Sequence, residues 1–62
     1  MLKGVFIMLE VGTKLINKSN PEWGYWVIRS HYDDGIYEIR GKSGIITLDE
    51  AERKMFWEVL ED

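Results

Sequence analysis

His31 is the one histidine of the chain, and it stands beside Arg29 and just before the acidic pair Asp33 and Asp34. An imidazole oriented by a carboxylate is the commonest general base, so acid–base chemistry would start here. Such a site also needs a nucleophile or substrate group within hydrogen-bond reach, and Ser19, Ser30, Ser43, Thr13 and Thr47 fall in no elbow or triad spacing. Asp33 and Asp34 are adjacent, and adjacent residues of a strand or turn point apart rather than converging on one substrate. Aspartates so placed bond their own backbone and form turns. His31 therefore reads as an exposed strand residue beside a charged turn, and no catalytic residue is expected.

The other reactive patterns are equally bare. One histidine, no cysteine and no EF-hand spacing leave nothing strong to hold a metal. Gly41 and Gly44 bracket a hairpin turn without the Lys-Ser/Thr tail of a phosphate loop. Neither a metal nor a cofactor is expected. Asn17-Lys18-Ser19 fits a glycosylation sequon, but the opening MLKGVFIML is too short and lacks the cleavage site of a secretory signal. It is also far from the roughly 20 apolar residues of a membrane span. With no cysteine, the expected location is the cytoplasm.

What remains is binding. Trp23, Tyr25, Trp26 and Tyr32 put four aromatics within ten residues. Rigid amphipathic rings of this kind anchor protein and peptide interfaces. Packing also claims aromatics, since a chain of 62 residues buries only about 60% of the surface it exposes when unfolded. One face of the sheet must form the core, which leaves one or two of the rings on the other face or in the loop. The candidate binding residues are Trp23, Tyr25, Trp26 and Arg29. A second pattern is the cation series Lys14, Lys18, Arg29, Arg40 and Lys42, interleaved with Tyr25 and Tyr37. Cations among aromatics grip single-stranded nucleic acids. Against that, Glu22, Asp33, Asp34 and Glu38 interrupt the series and the net charge is −3. Residues 1–42 carry +1 and residues 43–62 carry −4, so the excess acid lies at the C-terminal end. A nucleic acid is the alternative partner.

Short alternating elements must position these groups. Residues 5–11 (VFIMLEV) read as a strand, and residues 13–17 (TKLIN) as a half-buried one with Leu15 facing opposite to Lys14 and Ile16. Residues 18–24 form a loop in which Asn20-Pro21 starts a turn. In residues 25–32 (YWVIRSHY), strict alternation sets Trp26, Ile28, Ser30 and Tyr32 against Tyr25, Val27, Arg29 and His31. Asp34-Gly35 is a strong hairpin signal, with residues 36–40 (IYEIR) returning and residues 45–48 (IITL) following the 41–44 turn. A short helix over residues 49–55 and a strand over residues 56–60 complete the chain, with capping boxes available at Asp49/Glu52 and Thr47/Glu50. A helix running on to Leu60 is the alternative.

In that order the chain resembles SH3-like small barrels over residues 12–60. The likeness rests on an opening GTKL strand, a long first loop ending in Trp23-Gly24, the YDDGIYEIRG hairpin, the KSG turn and a closing FWEV strand. It is similar to small bacterial and phage domains of that kind. The resemblance implies about five antiparallel strands with one short C-terminal helix, and a ligand groove lined by aromatics around the first long loop. The ALYDY-like segment and proline of peptide-binding SH3 domains are missing, and so is the KOW glycine pattern. Neither family's ligand residues carry over. The expectation is one mainly β domain with residues 1–8 as an N-terminal extension strand, Met8 being an alternative start. It is expected to act without catalysis, binding a protein, a peptide or, through its N-terminal strand, a second copy as a homo-oligomer.

Overall fold

Leu15, Trp26, Ile28, Tyr37, Ile39, Leu48 and Trp57 form one buried cluster, and five short strands exist to present them. The computed structural model describes residues 9–32 and 35–60. The strands are β1 (Lys14–Asn17), β2 (Tyr25–His31), β3 (Ile36–Gly41), β4 (Gly44–Asp49) and β5 (Trp57–Leu60), with the helix α1 (Glu50–Phe56) between the last two. All pairings are antiparallel, in the order β4-β3-β2-β1-β5. The sheet curls into a half-barrel, as expected of a mainly β small barrel with one short helix. Its last strand pairs with β1, and α1 carries the chain from one end of the sheet to the other.

Local chemistry explains the elements. Alternation puts Leu15 at the core and Lys14 outside, opposite Trp26 and Val27 of β2 respectively. Gly35 takes φ +84 in the β2–β3 hairpin, a conformation open to glycine at no steric cost. Asp49 caps α1, its Oδ1 accepting from the Glu52 backbone N–H at 2.8 Å. Helix then gives way to strand at Trp57, whose extended backbone lets its indole turn into the core. That short-helix-then-strand arrangement matches the expectation to within one residue, and the longer helix is ruled out.

Three expectations need correction. Leu9 to Val11 do not continue a strand: Thr13 N–H bonds the Glu10 carbonyl at 3.1 Å and Gly12 turns the chain with φ +99. The rest of that stretch, and with it the N-terminal strand and its pairing with a second copy, lies outside the described residues, as do Asp33 and Asp34. Second, β2 does not alternate strictly. Ile28 pairs with Ile39 but Ser30 pairs with Glu38, so Arg29 is an extra residue in a β-bulge. Beyond it the faces swap: Ser30 joins Glu38, His31 packs edge-on against Tyr37 (ring centroids 5.5 Å apart), and Tyr32 is exposed rather than sharing the face of Trp26. Third, Tyr37 is core, not part of a basic stripe.

Tyr37 also organises the polar edge of the core. Its hydroxyl accepts from Leu9 N–H at 2.9 Å and donates to Glu50 Oε1 at 2.5 Å, while Glu50 Oε2 pairs with Arg53 at 3.2 Å. His31 Nε2 donates to the Leu9 carbonyl at 2.7 Å. One phenol thus ties the chain entering the barrel to the start of α1. Burial first, then the hydrogen bond to Glu50, raises the Tyr37 pKa above its ordinary 10.0. The native state keeps that proton at a pH where the unfolded chain has lost it. Stability from this group is therefore complete below about pH 10 and lost as pH rises through the native value.

Gly41 supplies a second constraint. A Cβ there would stand 2.3 Å from the Trp26 ring, in the ring's own space. Gly41→Ala should lower stability by about 2 kcal/mol and the thermal midpoint by about 10 °C, measured by calorimetry. An unchanged midpoint would mean Trp26 does not press on Gly41. Tyr37→Phe should cost about 1–2 kcal/mol in urea unfolding at pH 7 by stranding Leu9 N–H and Glu50. It should also flatten the fall in stability above pH 10 relative to the parent protein.

Candidate functional site

The outer face of the sheet collects what the inner face excludes. Lys14, Val27, Arg40 and Ile45 form one cross-strand row over β1 to β4, with Ile16 and Tyr25 in the next. Over β2 and β3 this face is hollowed into a groove of about 660 Å³. Trp23 and Tyr25 stand at one end, Val27 and Gly41 form its apolar floor, and Arg29, Arg40 and Lys42 edge it. Among the described residues no carboxylate lines it.

Each group has a local cause. The Trp23 loop is built by Asn17, which sits 93% out of solvent at the end of β1 (7% exposed). Its Oδ1 accepts from Ser19 N–H at 3.0 Å, Asn20 N–H at 2.9 Å and the Asn20 side-chain amide at 3.2 Å. An asparagine bonding backbone two and three residues on is a turn former, and it starts the 3₁₀ turn Pro21–Trp23. Gly24, with φ +77, then turns the chain into β2. Trp23 is left 44% exposed. Tyr25 is 54% exposed and lies under the Lys14 ammonium, 5.1 Å from its ring centroid, a cation–π contact that fixes the ring plane. Arg29 is the bulged residue and lines the groove from β2. Arg40 lies on β3 and Lys42 in the turn that follows it, and both line the groove.

Of the candidate residues, the structure brings Trp23, Tyr25 and Arg29 together and removes Trp26, which is 4% exposed and belongs to the core. Of the cation series, Arg29, Arg40 and Lys42 line the groove and Lys14 flanks it. Lys18 points elsewhere: its Nζ donates to the Lys54 carbonyl at 3.4 Å, where a cation complements the C-terminal end of α1. Glu38 lies at the far end of the same face. Its hydrogen bond from Ser30 Oγ (2.6 Å) above all lowers its pKa, with Tyr32 and the Arg29 charge helping. His31 faces Leu9 and Tyr37, away from the groove. Asn17 and Gly41 were not singled out by sequence reasoning as site builders; a buried asparagine just before a Ser-Asn-Pro turn is the signal that could have shown the first.

Comparison with known protein families, with characterised proteins and with solved structures finds no significant match. Among the described residues no group of three or more carboxylate, histidine or cysteine side chains is placed to hold a metal, and no helix is long and apolar enough to cross a membrane.

Asn17→Ala should free the Trp23 loop at a cost of about 1–2 kcal/mol. In NMR spectra the Trp23 indole resonance should move toward its unfolded position while those of Trp26 and Trp57 stay. Asn17→Asp, which keeps the acceptor oxygen, should restore it. A Trp23 signal indifferent to both changes would show that Asn17 does not hold the loop.

Proposed function

We propose that this chain is a non-catalytic interaction module that holds an anionic partner along the outer face of β1, β2 and β3. One observation carries this reading: three cations and two exposed rings line a single groove in which, among the described residues, there is no carboxylate. The two sequence-level expectations meet there. Trp23 and Tyr25 come from the aromatic cluster expected to meet a protein or peptide, and Arg29 and Arg40 from the cation series expected to meet a nucleic acid. The net charge of −3 does not oppose it, because the excess acid lies beyond residue 42 while the groove is locally basic. Fields act over about 10 Å at ordinary salt, so the lining matters more than the total. We further infer that the half-barrel is of the SH3-like kind, a reading supported by the strand order and by the helical turn before the last strand.

The partner's charge can be tested with simple polyanions. Polyphosphate and poly-glutamate, added to the labelled protein at low salt, should each shift the backbone resonances of Tyr25, Val27, Arg40 and Gly41. Arg40→Glu should weaken that response at least tenfold while leaving the thermal midpoint within a few degrees. Shifts scattered over the molecule, or unaltered by Arg40→Glu, would overturn the reading.

A further inference from the structure

We infer that the groove's ligand is a single-stranded nucleic acid, whose bases stack on Trp23 and Tyr25 while its phosphates meet Arg29, Arg40 and Lys42. The inference rests on the anion-binding reading above and narrows it. Two classes of polyanion fit the charge, an acidic peptide and a nucleic acid, and the rings decide between them. A carboxylate side chain needs only the cations. It has no flat apolar group to lay on an indole or a phenol, so it would leave Trp23 and Tyr25 as open as they now are, at 44% and 54% exposure. A nucleotide uses both parts of the site. Its base covers a ring, and its phosphate takes a cation.

The placement of the rings supports this. Among the described residues the buried core holds seven hydrophobic side chains, three of them aromatic: Trp26, Tyr37 and Trp57. Four rings stand exposed among the described residues, Trp23, Tyr25, Tyr32 and Phe56, and two of them, Trp23 and Tyr25, share one groove. The Lys14 ammonium over Tyr25 sets the plane of that ring and leaves more than half of the residue open. Arg40 on β3, Lys42 in the turn after it and Arg29 on β2 line the rest of the same groove. The face offers stacking at one end and positive charge along the rest. A duplex cannot use this arrangement fully, because its bases are already stacked and paired.

Fluorescence anisotropy with the full chain tests it. The probes are labelled twelve-nucleotide oligothymidine, oligouridine and a duplex DNA of equal length, with labelled poly-glutamate alongside. Both single strands should bind more tightly than the duplex and than poly-glutamate, and the two separate a DNA from an RNA ligand. Three phosphate contacts predict a log–log salt slope of about −2, so a rise from 50 to 200 mM salt should weaken binding roughly 20-fold. Arg40→Gln should make that slope shallower by about 0.7. Tyr25→Ala and Trp23→Ala should each weaken binding by about tenfold or more with little change in slope. Both rings are half-exposed, and an unchanged thermal midpoint would separate lost stacking from lost fold. Poly-glutamate bound as tightly as the single strands would overturn the nucleic-acid assignment and leave the anion-binding groove standing. So would a duplex bound more tightly than either single strand, or Tyr25→Ala and Trp23→Ala both without effect. Failure of every polyanion to bind would remove both.

Discussion

The curl of the sheet hangs on one contact, the edge of one indole against the face of another. Trp26 of β2 and Trp57 of β5 meet at 5.7 Å between ring centroids and 75° between planes. Their strands are not neighbours, because β1 runs between them. The rings can meet only if the sheet bends over Leu15, and a bent sheet is what separates an enclosed inner face from an open outer one. An edge-to-face pair adds about 0.5–1.5 kcal/mol beyond the area it covers. Its geometric effect is larger than that figure suggests. Trp26 also reaches under β3, where only a glycine leaves room for it. Its indole N–H has no hydrogen-bond partner among the described residues, so the position retains tryptophan in spite of a polar cost. Ring size is what the fold takes from it.

That constraint reaches the groove through Gly41. The glycine's inward side accommodates Trp26 and its outward side is part of the groove floor. Arg40, just before it on β3, faces outward because Gly41 faces inward, and Lys42 follows in the turn. The packing of the core and the outward placing of Arg40 are therefore set by neighbouring residues of one strand. The bulge at Arg29 acts in a similar way on β2. It adds one residue and restores Tyr37 and His31 to contact on the inner side. The bulge thus changes the face of the residues after Arg29, while Arg29 stays on the outer face with Tyr25 and Val27.

Much of the fold was legible because its signals are local. Asp34-Gly35 announced the hairpin, Asp49 with Glu52 announced the start of the helix, and the alternation of Lys14, Leu15 and Ile16 announced which way β1 faces. The site was legible only in composition. Trp23, Tyr25, Trp26 and Arg29 could be nominated, but Trp26 and Tyr25 are adjacent in one strand, so one had to be core, and alternation alone does not say which. The partners decide it: Leu15 and Gly41 make room for Trp26 on the inside, and they become its neighbours only through pairing of β1 and β3 with β2. The bulge was illegible for a related reason. Nothing in Ile28-Arg29-Ser30 marks an inserted residue, and the swap of faces that follows appears only once β3 is laid alongside. Tyr37 was misplaced because its hydroxyl looks like a surface group until Leu9 and Glu50 supply partners from 28 and 13 residues away.

The distribution of charge follows from the same division of faces. A small curled sheet has one interior, and charge is excluded from it, so all charged groups crowd onto the outer face, the loops and the helix. Here the two signs separate. Asp49, Glu50 and Glu52 gather in the first turn of α1, where the helix dipole favours them, and Arg53, Lys54 and Lys18 gather toward its other end. Asp49 is thereby engaged in capping and Glu50 in the Tyr37–Arg53 network, and neither lines the groove. Among the described residues Glu38 is an acid on the same face, near Arg29, and its carboxylate is already engaged by Ser30. An acidic chain can in this way carry a locally basic groove: Asp49, Glu50 and Glu38 are engaged by its own backbone and side chains, while Arg29, Arg40 and Lys42 line one groove of the outer face.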